Sequence, residues 1–143
     1  MTPVYKLKDY RETLVFEQEH PKELRWDQTY KLFMLEQNKE CQGIWFRDKK
    51  DLIAEIILTW NSDNVVHVEG FTVLPSHRNQ GIGTRIVDAA LDWAKEAGYD
   101  YMIGEARKGA SWNIFRMLGA EQILVHKNWC GTTEDYISFK LNV

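Results

Sequence analysis

Apolar positions in this chain switch period at one glycine-bearing turn. Val65–Leu74 reads as a strand, Pro75–Gly83 as a turn with a basic residue and paired glycines, and Thr84–Ala97 as a helix. In and just before that helix, Ile82, Ile86, Ala89, Ala90, Trp93 and Ala97 return at spacings of three and four, the stripe of an amphipathic helix. Upstream, Val4–Lys8 alternates and predicts a short strand. Asp9 suits the cap of a helix that starts near Tyr10 and stops at Pro21, and a second helix is predicted over Glu23–Gln37. Its aromatics Trp26, Tyr30 and Phe33 are expected in the core, or in part along a cleft.

Next comes a hairpin, Gln42–Phe46 and Leu52–Trp60, around the charged turn Arg47–Asp51. The second arm is nearly all apolar and so reads as a central strand. Asn61–Asn64 is a turn cluster leading into Val65–Leu74, so three antiparallel strands in a row are expected. After Gly98, a fitting helix terminator, Tyr99–Ala106 is a strand reached by a crossover and therefore parallel to Val65–Leu74. Ser111 is expected to cap a short helix, Trp112–Leu118, closed by Gly119. Two more strands, Ala120–Trp129 and Tyr136–Leu141, end the chain.

The 143 residues fit a single domain, 1–143, with no repeat or linker. A net charge of −3 and the lack of a basic aromatic patch argue against a nucleic-acid partner. Two cysteines, Cys41 and Cys130, without a paired motif suggest a reducing, cytoplasmic setting. No apolar run reaches the length of a membrane span and no signal-peptide core is visible, so no membrane partner is expected.

A strand that passes through a glycine turn into a helix start is an anion-binding arrangement. The first helical N–H groups lack intrahelical partners, and the helix dipole adds partial positive charge. The spacing Arg78-x-x-Gly81-x-Gly83 lets backbone approach a pyrophosphate. A dinucleotide fingerprint is excluded, because the third glycine is missing and the glycines follow the fourth strand rather than the first.

The run Phe71-Thr72-Val73-x-Pro75-x-x-Arg78-Asn79-Gln80-Gly81-Ile82-Gly83-Thr84, then helix, strand and Leu118-Gly119-Ala120, resembles the GNAT superfamily of acetyl-CoA-dependent N-acetyltransferases. The resemblance is strong from about Ile53 to Ala120, and its nearest flavour is the diamine and polyamine enzymes. It implies an α+β fold: a mixed, mostly antiparallel sheet of about seven strands with about four helices, splayed at the fourth and fifth strands. It implies acetyl-CoA as the acyl donor, no metal, a small-molecule or peptide amine as acceptor, and room for a homodimer. The amides of Asn79, Gln80, Gly81, Ile82, Gly83 and Thr84 would then hold the pyrophosphate, with Arg78 heading the motif. The backbone of Phe71, Thr72 and Val73 would bond the pantetheine arm as though it were an added strand, and Gly70 is placed for the bulge that opens the splay. Ser111 and Asn113 match positions of the polyamine enzymes.

Transfer to an amine needs a base, since an amine of pKa about 10 arrives protonated at neutral pH. Glu69, two residues before the cofactor strand, is the expected catalytic base. His67 shares its face if no bulge intervenes, and Glu55 on the neighbouring strand is a third candidate. The resemblance implies that a main-chain amide, that of Val73, serves the developing oxyanion. The sequence departs from the family where many members carry a tyrosine that protonates the leaving thiolate: Phe115 stands there, and Lys108 replaces a usual Asn. Water, or Tyr136, Tyr101 or Cys130, would have to substitute; otherwise the chain binds or senses acyl-CoA without transferring it. Arg107, Lys108, Arg116, His77 and Arg85 are candidates for the 3′-phosphate.

Overall fold

The apolar run Asp51–Trp60 forms the third strand of a seven-stranded sheet, buried from Leu52 to Thr59. A residue run that is apolar on both faces can satisfy itself only between two covered surfaces. The structure, a computed structural model, describes residues 2–8, 41–49, 51–60, 62–131 and 133–143. The strands are β1 (Thr2–Lys8), β2 (Cys41–Asp48), β3 (Asp51–Trp60), β4 (Val65–Val73), β5 (Tyr101–Arg107), β6 (Glu121–His126) and β7 (Tyr136–Asn142). Among the described residues two α-helices appear, α1 (Ile82–Glu96) and α2 (Ala110–Met117). The helices expected between Tyr10 and Gln37, with Trp26, Tyr30 and Phe33, lie outside the described residues.

The strand order is β1-β2-β3-β4-β5-β7-β6. All neighbours are antiparallel except β4 and β5, which α1 joins by a crossover. One sheet face packs on the helices. Ile44, Ile56, Leu58, Val66, Met102 and Phe139 meet Ile82, Ile86 and Ala90 of α1 and Phe115 of α2 in one core. Each fully buried Ile, Leu, Val, Met or Phe side chain among them contributes about 1.5–3 kcal/mol of transfer free energy. On the other face Trp45 is buried, and its indole fills the space a Cβ on Gly43 would need. Its Nε1–H donates to Glu55 at 2.9 Å. Among the described residues no helix is long and apolar enough to cross a membrane.

Several boundaries shift from the sequence reading. Helix α1 begins at Ile82, two residues early. Ser111 is not the cap of α2; Gly109, at φ 121°, stands there, and Ser111 sits in the first turn. Strand β6 stops at His126, because Trp129 enters a short 3-10 turn and its N–H donates to the Glu134 carbonyl at 2.8 Å.

The splay between the fourth and fifth strands is present. Parallel pairing of β4 and β5 covers only Val65–Val68 against Tyr101–Gly104. Beyond it β4 continues on β3 to Val73, while β5 continues on β7 to Arg107. The two arms part where the β3–β4 ladder skips a residue. Ile57 faces Gly70 and Leu58 faces Val68, so Glu69 is the extra residue of a bulge. A bulge increases local twist, which turns the arm away from its former neighbour.

Candidate active site

A cleft of about 730 Å³ opens at this fork. That volume suits an elongated small ligand. The β4 arm lines it from Val68 to Val73, the β5 arm through Glu105 and Arg107, and the starts of both helices close its end. Leu74 N–H donates to the Ile53 carbonyl on β3 at 2.9 Å. Strand alternation therefore directs the N–H and C=O of Phe71 and Val73 to the opposite, cleft-side edge. Arg78 Nε donates to that Val73 carbonyl at 3.1 Å, which pins the turn against the end of the arm.

The turn itself is sharp, with Asn79 at φ 60° and Gly81 at φ 75°. Gly81 is the N-cap of α1, with no side-chain cap bond and no acidic residue in the first turn. Helix α2 likewise begins at a glycine without a side-chain cap. Both first turns line the cleft. Two helix starts without side-chain caps thus face one space, a donor-rich, partly positive end suited to phosphate groups. The two glycines of the motif serve different needs. Gly81 supplies a left-handed backbone with open space around it, whereas a Cβ on Gly83 would stand 2.7 Å from Ile114 Cδ1 and 3.3 Å from Phe71 Cζ.

Of the residues singled out in the sequence, Glu69, Phe71, Thr72, Val73, Arg78, Asn79, Gly81, Ile82, Gly83, Thr84 and Ser111 line the cleft. Gln80 and Asn113 are exposed and do not line it. Of the 3′-phosphate candidates, His77 and Arg107 line it; Arg85, Lys108 and Arg116 do not. Glu55 is buried beneath the sheet against Trp45.

The Glu69 side chain is 7% exposed. Its Oε1 accepts from Thr59 Oγ1 at 2.8 Å and lies 2.6 Å from His67 Nδ1. The other nitrogen of His67, Nε2, lies 3.1 Å from Glu105 Oε2 on the β5 arm. Burial works against a charged imidazole here, but hydrogen bonds to Glu105 and Glu69, and their charges, outweigh it and push its pKa up to about 9. At neutral pH His67 is therefore an imidazolium, with no lone pair to act as a base. Glu105 was not singled out in the sequence. Its place on the alternating strand β5 was readable, but its distance from His67 depends on the β4–β5 register.

Phe115 is 2% exposed, stacked on Phe139 at 4.3 Å and edge-on to Phe71 at 5.6 Å. It is a floor for the cleft. Tyr136 lines the cleft and stacks on Trp129 at 5.5 Å. Tyr101 lies at the closed end of the fork, with Lys140 Nζ 3.9 Å from its ring centre.

The model of the acetyltransferase (GNAT) family matches residues 6–119. Among solved structures, the ribosomal-protein-S18-alanine N-acetyltransferase of Escherichia coli is similar, with a TM-score of 0.73 at 14% identity, covering 99% of this chain and 94% of that one. The aminoglycoside 6′-N-acetyltransferase of Enterococcus faecium gives 0.71 at 16% identity, over 97% and 96%. A GNAT family acetyltransferase of Elizabethkingia anophelis with acetyl-CoA bound gives 0.65 at 14% identity, over 99% and 98%. No curated protein matches the chain. Identities this low speak for the fold alone. With the family model matching residues 6–119, most of the chain, and the fork and glycine turn in place, the chain belongs to the GNAT acetyltransferase family.

Proposed function

We propose that the protein transfers an acetyl group from acetyl-CoA to a primary amine, by direct attack while both are bound. The observation that carries this reading is the fork. An edge of β4 that β5 leaves unpaired runs straight to a helix start without a side-chain cap, inside one cleft that also holds a carboxylate. The pantetheine arm of acetyl-CoA would add to the Phe71–Val73 edge, and its pyrophosphate would meet the amides of Gly81, Ile82, Gly83 and Thr84, with Ser111 beside them. When bound, acetyl-CoA supplies an activated acyl carbon.

Each step then has a group of this chain. Glu69 takes a proton from the acceptor nitrogen, directly or through water. The Val73 N–H, on the cleft-side edge, donates to the carbonyl oxygen as negative charge builds on it. Tyr136 gives its proton to the departing thiolate; among the substitutes for Phe115 it is supported by its place in the cleft wall. The acceptor is a small-molecule or peptide amine in this reading, and diamines and polyamines belong to that class. Association into a homodimer and a cytoplasmic setting also belong to the proposal. The edge strand β6, with Ile123 58% and Leu124 56% exposed, supports the first.

Phe115 favours a second reading, an acyl-CoA-binding protein that does not transfer. Release of free CoA from acetyl-CoA in the presence of a mixed amine panel separates the two. Amine-dependent release supports transfer; binding without release supports the sensor.

A further inference from the structure

The Glu69 carboxylate is not held in place by its strand ladder. It is the residue the β3–β4 register skips, and β5 has already left β4 at that level. The contacts that hold its side chain include Thr59 at 2.8 Å and His67 at 2.6 Å. The same imidazole reaches Glu105 on the other arm at 3.1 Å. One ring thus spans the base of the fork, with a carboxylate from each arm at either nitrogen.

Building on the acetyl-transfer reading, we propose that His67 is a positioning residue: its ring clasps Glu69 to Glu105, aims the base at the acceptor and fixes how far the two arms stand apart. It acts through Glu69, which is the group that meets the acceptor nitrogen. Donation from both ring nitrogens requires both to carry protons, since a neutral imidazole has one N–H. The surrounding groups favour that state. Glu69 faces the ring from β4, neutral Thr59 borders Glu69 from β3, and Glu105 faces it from β5. In the same row on β7, Lys140 stands over the Tyr101 ring. The raised pKa of about 9 agrees with this cationic clasp. The clasp leaves one net negative charge on the three groups, which suits an acceptor that arrives as an ammonium ion.

Two measurements test it on the full chain. The first is an NMR titration of the His67 ring nitrogens, which needs no turnover. The expected result is a doubly protonated ring at neutral pH with a midpoint near 9, falling towards about 6.5 in Glu105→Gln. An ordinary midpoint in the unaltered protein overturns the clasp. The second is kinetic. His67→Gln is expected to lower kcat about 10–100-fold while the KM for acetyl-CoA changes less than about twofold. In a Glu69→Gln background the same change is expected to cost less than about threefold, because its route to the chemistry is already cut. Equal losses in both backgrounds, or a parallel loss of acetyl-CoA binding, overturn the positioning role. Should His67→Gln not fold, Glu105→Gln decides, with a kcat several-fold lower at unchanged acetyl-CoA affinity in support and an unchanged kcat against. A midpoint near 9 with no amine-dependent CoA release removes the transfer reading and this role with it. An ordinary midpoint with normal release removes this role alone.

Discussion

His67 and Glu69 meet at 2.6 Å although the ladder between β3 and β4 passes Glu69 by. The bulge and the contact have one consequence. The residue that the ladder skips is the one whose side chain enters the fork, and His67, two positions earlier on the strand, meets it there.

A stability effect with a defined sign follows from that contact. The folded pKa of His67, about 9, lies above the unfolded value of about 6.5, so the folded state binds this proton more tightly. The stabilisation is complete below about pH 6.5, falls as pH rises, and is gone above about pH 9. It amounts to at most about 3 kcal/mol. Denaturant unfolding of the unaltered protein and His67→Gln, at about pH 6 and about pH 9.5, should show a gap that closes at the higher pH. A gap that widens would contradict the assignment.

The two motif glycines should fail in different ways. Gly83→Ala brings a Cβ against the tip of Ile114 and the Phe71 ring, a crowding offset in part by the roughly 1 kcal/mol that alanine gains over glycine inside a helix. Gly81→Ala has open space, so its cost is the left-handed backbone alone, about 1–2 kcal/mol. Thermal unfolding and acetyl-CoA titration together read this. The Gly81 change should lower Tm at least as much, since the Ile114 terminal methyl can turn aside whereas the left-handed backbone at Gly81 cannot relax.

Gly43→Ala should be more damaging than either. Its Cβ would fall within the Trp45 ring, and Trp45 is fully buried. Either the indole leaves its site, and with it the bond to Glu55, or the strand shifts. A loss of about 3 kcal/mol or more is expected from chemical denaturation. A loss under about 1 kcal/mol would mean that the site adapts.

The departing thiolate offers a paired test. Tyr136→Phe should lower kcat about 10²-fold or more if Tyr136 is the acid. Phe115→Tyr in that background should recover part of the loss, because Phe115 lines the same cleft. Steady-state rates across pH check both. An unchanged rate in Tyr136→Phe would leave the proton to water.

The strands, the crossover and the glycine turn that starts α1 were legible because they are local. Arg78, Gly81 and Gly83 fix a turn and a helix start within six residues, and the apolar run of β3 marks a strand buried on both faces. The opening of the fork beside Gly70 was also legible, although the skipped residue is Glu69. The clasp was not. His67 and Glu105 are 38 positions apart, and only the parallel register of β4 and β5 brings them together. The cap of α2 misled for a local reason. Ser111 has the favoured side chain, but Gly109 can adopt φ 121° and starts the helix before it.

The central claim is that the fork holds acetyl-CoA. The direct measurement is thermal unfolding of the unaltered protein with and without acetyl-CoA at about a hundred times its dissociation constant. Binding to the folded state alone should raise Tm by about 5–10 °C for a chain of this size. No rise at any acetyl-CoA concentration would contradict the account.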